Sequence, residues 1–124
     1  MYRLVIEDHF DAAHCLRGYK GPCARIHGHT WKVEVCLEGK ELDKVGILVD
    51  FKIIKQVLKK ILDEFDHRLI NKEVVYFKKV NPTAENLSKY VYEKLNLLFP
   101  AMLEPGIRWV RVWESPVAYC EYEN

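Results

Sequence analysis

His27 and His29 stand on either side of Gly28, and His14 lies further upstream. On a strand, residues two apart share a face, so the imidazoles of His27 and His29 point the same way. His14 continues an upstream alternation through Phe10 and Ala12. If the two strands pair, three neutral imidazoles converge from a rigid sheet. Three nitrogens with a fourth position left open form the catalytic type of zinc site, whereas structural sites are closed. Gly28 lets the backbone pass close between its neighbours. The plain alternative is three ordinary surface or core histidines, since a lone His-x-His often arises by chance. Three of only five histidines in this arrangement favour a metal.

Further groups could act on a ligand held there. Cys23 precedes His27 in a loop containing Gly21 and Pro22. A thiol near a divalent ion can lose its proton at neutral pH and serve as base or nucleophile. The local sequence equally allows a fourth zinc ligand or an inert loop cysteine. Asp66 and His67 are adjacent, and a carboxylate can fix the tautomer of an imidazole and raise its basicity. Adjacent residues need not touch, and Asp66 can simply end a helix. Glu114 closes the apolar run Ile107–Trp113. A partly buried carboxylate needs paired donors. The 2-amino-4-oxo edge of a pterin or guanine supplies them, and so does an arginine.

The elements that must carry these groups follow from periodicity. Residues 2–14 alternate as a strand, with Leu4, Ile6, Phe10 and Ala12 on one face. Residues 15–26 read as a loop. Residues 27–39 read as a second strand with Trp31, Val33, Val35 and Leu37 on one face, expected to pair with the first as an antiparallel ribbon. Asp50 caps a helix running to about residue 65, whose stripe is Phe51, Ile54, Leu58, Ile61 and Phe65. Residues 66–81 read as a polar connection. Asn81 or Thr83 caps a second helix with Leu87, Tyr90, Val91, Leu95 and Leu98 buried. Strands at 107–114 and 117–123 close the chain. The order ββααββ describes an α+β domain with helices on one sheet face. So few strands leave open sheet edges, which pairing around a symmetry axis would remove. A ring-forming homo-oligomer follows as an expectation.

Bulk properties narrow the functional class. The 124 residues fit one domain, 1–124, and the net charge of +1 gives no reason to expect a nucleic-acid or membrane partner. Met1–Asp8 lacks the apolar stretch of a signal peptide, which suggests a cytoplasmic protein with reduced thiols. No Cys-x-x-Cys occurs among Cys15, Cys23, Cys36 and Cys120, and the last two read as small buried apolar residues.

Taken together, several segments resemble the 6-pyruvoyltetrahydropterin synthase / 6-carboxytetrahydropterin synthase family. They are Phe10-Asp11-Ala12-Ala13-His14, Cys23 through His29, Gly46 through Phe51, Phe65 through Asn71, Asn81 through Asn86, and Glu114. They run in order across nearly the whole chain, which is more specific than any single motif. The resemblance implies the tunnelling fold, with ββααββ units assembled into trimeric barrels that stack as hexamers. It implies Zn2+ on His14, His27 and His29, and Cys23 as the acid/base thiol. Asp66 and His67 would be its partners across a subunit interface. Glu114 would anchor a pterin ring, with Thr83 nearby. Three residues separate Cys23 from His27-Gly28-His29, as in the bacterial 6-carboxy branch. The animal 6-pyruvoyl enzymes carry a longer insertion there. The resemblance therefore implies a zinc-dependent lyase that converts 7,8-dihydroneopterin triphosphate to 6-carboxy-5,6,7,8-tetrahydropterin, acetaldehyde and triphosphate, on the route to queuosine. The same family implies 6-pyruvoyltetrahydropterin synthesis as the nearest alternative, and a non-catalytic pterin-binding assembly is a more distant one.

Overall fold

Two long strands, β1 (Tyr2–His14) and β2 (His27–Gly39), form an antiparallel ribbon. Its register runs from Tyr2 opposite Gly39 to His14 opposite His27. β4 (Gly106–Ser115) pairs antiparallel with β2, and β5 (Ala118–Tyr122) with β4. A two-residue strand, β3 (Arg68–Leu69), runs parallel to β1 at Ala12 and Ala13. The sheet order is β3-β1-β2-β4-β5 in this computed structural model, which describes residues 1–124.

The helices α1 (Phe51–Leu62) and α3 (Ala84–Asn96) cover one face. Each starts at a residue whose side chain accepts from a free backbone N–H. Asp50 takes the N–H of Lys52, and Thr83 takes that of Asn86. Loss of such a cap typically costs about 1 kcal/mol. α1 packs on β1, while α3 lies over β4 and β5. Between helices and sheet sit Phe10, Trp31, Val33, Val35 and Leu37 from the ribbon, with Ile54, Leu58, Leu87 and Leu95 above them. The rings of Phe10 and Trp31 stack with centroids 5.9 Å apart. The alternation in the sequence thus locates the buried face of both long strands.

Three expectations are corrected. α1 ends at Leu62, short of residue 65, and Phe65 is buried in the turn beyond it. Phe51 and Leu98 leave their stripes, at 55% and 61% exposed: one is the first residue of its helix, and the other lies past the end of α3. Residues 66–81 are not merely a polar connection. They hold β3, the one-turn helix α2 (Ile70–Glu73) and a 3-10 turn (Val75–Lys78), and they bury Ile70, Val74 and Phe77. The helix stops at the extended residue Val74 before the 3-10 turn begins, so no continuous helical period marks these apolar groups. Cys36 is buried as expected, whereas Cys120 is half-buried against the core.

The other sheet face carries charge and aromatic rings. The Lys32 ammonium lies 4.2 Å from the ring centre of Trp113, and the Arg111 guanidinium 4.0 Å from that of Trp109. Along the outer side of β1, β3 pairs only Ala12 and Ala13, and the preceding residues have no strand beside them. No helix is long and apolar enough to cross a membrane.

Candidate metal centre

The β1–β2 register decides where the histidines meet. It sets His14 opposite His27 and Ala12 opposite His29, so the three imidazoles gather at one end of the ribbon, on the parity of Phe10 and Trp31. His14 Nε2 lies 3.0 Å from His27 Nε2. Glu114 arrives from β4 on the parity of Val110 and Val112. Its Oε1 stands 3.3 Å from His14 Nε2 and 3.4 Å from His29 Nε2. One ligand atom from each of the four residues lies within 4.8 Å of all the others.

The outer ring nitrogens fix the tautomers. His14 Nδ1 is 2.7 Å from the Pro82 carbonyl oxygen, and His27 Nδ1 is 2.7 Å from that of Arg25. A carbonyl only accepts, so each Nδ1 carries the proton and donates it. The Nε2 atoms then present bare lone pairs to one another. Two lone pairs at this separation repel unless a cation lies between them. His29 Nε2 is buried with no hydrogen-bond partner. An orphaned buried nitrogen is costly, and a metal bond satisfies it. Burial also pushes the imidazoles of His14 and His29 below the usual histidine range, which favours the neutral, ligating form. The residues present therefore fit a divalent cation. Trp31 closes the back of the cluster, edge-on to His14 and His29 at centroid distances of 4.8 and 5.1 Å.

Cys23 sits in a 3-10 turn, Pro22–Ala24. With His27, His29 and Glu114 it lines a cavity of about 400 Å³. A second cavity, about 460 Å³, shares Glu114 with the first and is lined also by Ala84, Glu85 and Tyr119. The carboxylate of Glu114 thus reaches both the imidazoles and open space. Its place among the imidazoles was not expected from the sequence: the β4 alternation gives its face, but the approach depends on β4 lying beside β2. Thr83 is at the start of α3, one residue before the second cavity, with its hydroxyl engaged as the helix cap.

Asp66 and His67 do touch each other, His67 Nδ1 standing 3.0 Å from Asp66 Oδ2. Asp66 Oδ1 also accepts from the backbone N–H of Asp11, and that bond, with the His67 contact, holds the carboxyl below its usual range. The His67 N–H donates to the Asp11 carbonyl at 2.6 Å. These bonds hold His67 at φ 58°, a left-handed conformation uncommon outside glycine. The His67 side chain is 78% exposed, beside a depression lined by Asp11, Gly28 and Thr30 and also by His29. Asp11, Gly28 and Thr30 have the strand parity opposite to His14, His27 and His29. Within one chain the Asp66–His67 pair does not line the cavity that holds Cys23.

Comparison with known proteins adds the lineage. The family model described as 6-pyruvoyl tetrahydropterin synthase matches residues 3–124. The chain belongs to the 6-pyruvoyl tetrahydropterin synthase family. Among its relatives in this family is the 6-carboxy-5,6,7,8-tetrahydropterin synthase of Haemophilus influenzae, 31% identical, with all of both chains covered. The enzyme of that name from Bacillus subtilis is 34% identical over 98% of this chain and 84% of its own. Among solved structures, the 6-pyruvoyl tetrahydropterin synthase of Caenorhabditis elegans superposes with a TM-score of 0.83 at 31% identity, covering 100% of this chain and 97% of that one. The Plasmodium vivax family member, 20% identical with a TM-score of 0.72, shares the fold.

Proposed function

We propose that this family member is a zinc-dependent 6-carboxy-5,6,7,8-tetrahydropterin synthase. It would convert 7,8-dihydroneopterin triphosphate to 6-carboxy-5,6,7,8-tetrahydropterin, acetaldehyde and triphosphate, in queuosine biosynthesis. The observation that carries this reading is the cavity bounded at once by the imidazole cluster, the Cys23 thiol and the Glu114 carboxylate. The names of the bacterial relatives above supply the reaction.

His14, His27 and His29 would hold the ion, since three imidazoles with a position to spare suit catalytic zinc. When bound, the ion supplies Lewis-acid polarisation of the substrate's side-chain hydroxyls. The Pro82 and Arg25 carbonyls keep His14 and His27 in the tautomer that ligation requires. Cys23 is within reach of the same cavity and moves a proton on the substrate side chain. Glu114 pairs with the amino and ring N–H groups of the pterin, and the cavity beyond it receives the ring. Thr83, the α3 cap that precedes the cavity-lining Ala84, is the second substrate-binding residue in this reading. Asp66 and His67 work in the site of a neighbouring copy, because neither lines the Cys23 cavity of its own chain. A hexamer built from two trimeric rings supplies that copy and covers the open edges of β1 and β5. The cytoplasm is the compartment that suits four free thiols.

A second reading has specific support. The Caenorhabditis elegans structure named for 6-pyruvoyl synthesis is as similar in sequence, at 31% identity, as the Haemophilus influenzae relative. Product analysis on 7,8-dihydroneopterin triphosphate separates the two. Acetaldehyde formed in step with triphosphate supports the proposal. Triphosphate release with a 6-pyruvoyl product and no acetaldehyde transfers the chain to the second reading. Absence of turnover by the zinc-loaded protein rejects both.

A further inference from the structure

Beyond His14 the chain has no strand partner, yet it is held as if it had one. Asn71 Oδ1 accepts from the Cys15 N–H at 2.9 Å, and Asn71 Nδ2 donates to the Cys15 carbonyl at 2.9 Å. Asn81 repeats the arrangement two residues on. Its Oδ1 accepts from the Arg17 N–H at 3.0 Å, and its Nδ2 donates to the Arg17 carbonyl at 2.8 Å. Each amide fits in one orientation only, since a flip would set donor against donor and acceptor against acceptor. Two side chains thus imitate the missing ladder along Cys15–Arg17.

The strap they hold touches both halves of the cavity. At one end is His14, whose Nδ1 donates to the carbonyl of Pro82, the residue after Asn81. In the middle, the Leu16 N–H donates to the Cys23 carbonyl at 2.9 Å. From the far end, Arg17 Nη2 donates to the carbonyls of Phe77 and Val80 at 2.8 and 3.0 Å. Asn81 is tied in turn to α3, because its carbonyl accepts from Asn86 Nδ2 at 2.9 Å. The position of an imidazole and that of a thiol therefore depend on the same pair of amides.

We propose that Asn71 and Asn81 are positioning residues of the metal centre: their amides fix the Cys15–Arg17 strap, which seats His14 against Pro82 and holds the Cys23 turn at the cavity. The inference rests on the metal-centre reading above. It requires no contact between either asparagine and substrate. Groups that orient a ligand from behind typically affect metal affinity by about 10- to 100-fold.

Asn71→Asp and Asn81→Asp test it, because each keeps the acceptor and the shape but removes the donor. Cobalt(II) replaces zinc as the probe, in a competition titration against a chelator on the full chain. Its visible spectrum reports coordination geometry. Alkylation of Cys23, followed by peptide mass mapping, reports the turn independently of any metal. Both variants, shown to be folded by circular dichroism, are expected to bind cobalt about 10- to 100-fold more weakly, with an altered spectrum and a changed Cys23 alkylation rate. A lowered melting temperature with wild-type cobalt affinity, spectrum and alkylation rate would reduce the amides to structural supports and overturn the proposal. If wild-type protein binds cobalt no better than His29→Ala, the metal-centre reading fails, and the positioning role with it. Should either Asp variant not fold, Asn71→Ser and Asn81→Ser carry the same readouts.

Discussion

The two ends of the chemistry in this chain are built differently. The imidazole cluster is complete within one chain: its rings are inward-facing, two of its outer nitrogens are bonded to backbone carbonyls, and Trp31 backs it. The Asp66–His67 pair stands on a turn held by Asp11, with the His67 ring 78% exposed and outside the cavity that holds Cys23. The first has the burial and fixed tautomers that ligation needs. The second has a fixed orientation but does not reach the Cys23 cavity of its own chain. A group so firmly aimed at open space makes sense when another chain completes its surroundings.

The comparison can be broken most decisively at the cluster. His29→Ala removes one of three nitrogens, and we expect metal content near zero with turnover at background, checked by elemental analysis beside the product assay. Next in size is Cys23→Ala. Turnover is expected to fall about 100- to 10,000-fold while the metal stays bound. Metal loss in that variant would make Cys23 a ligand instead.

Mixing sharpens the contrast directly. Cys23→Ala and Asp66→Asn, each inactive alone, are unfolded together and refolded as mixed oligomers. If two chains share each site, random assembly restores up to about a quarter of wild-type activity. No recovery would place both groups in the site of one chain. The smallest effect concerns acid. The carboxyl of Asp66 is held below its ordinary range, chiefly by the Asp11 N–H and then by His67. Its contribution to stability is therefore present above the unfolded carboxylate value, near pH 4, and disappears as pH falls through the lower folded value. Asp66→Asn should lower the melting temperature slightly at neutral pH, flatten the acid limb of the profile, and converge on wild type at low pH.

Sequence periodicity located what periodicity can encode. The alternation through Phe10, Ala12 and His14, and that through His27, His29 and Trp31, placed three rings on one face before any register was known. Cap residues marked both helix starts. The segment from Asp66 to Asn81 was misjudged because its buried groups, Ile70, Val74 and Phe77, are interleaved with charges over elements too short to show a period. Asn71 and Asn81 act on backbone rather than on side chains, and such pairing leaves no pattern in composition. The approach of Glu114 to the imidazoles depended on which strands are neighbours, and local sequence does not state that.

Trp31 gives the centre an optical gauge of its own. It is the one fully buried indole, lying edge-on to two of the three rings that would grip an ion, while Trp109 and Trp113 lie on the other sheet face beside cations. A quenching ion such as copper(II) or cobalt(II) arriving there should dim the bluest component of the emission first. Occupancy could then be followed in real time, without a dye and without turnover.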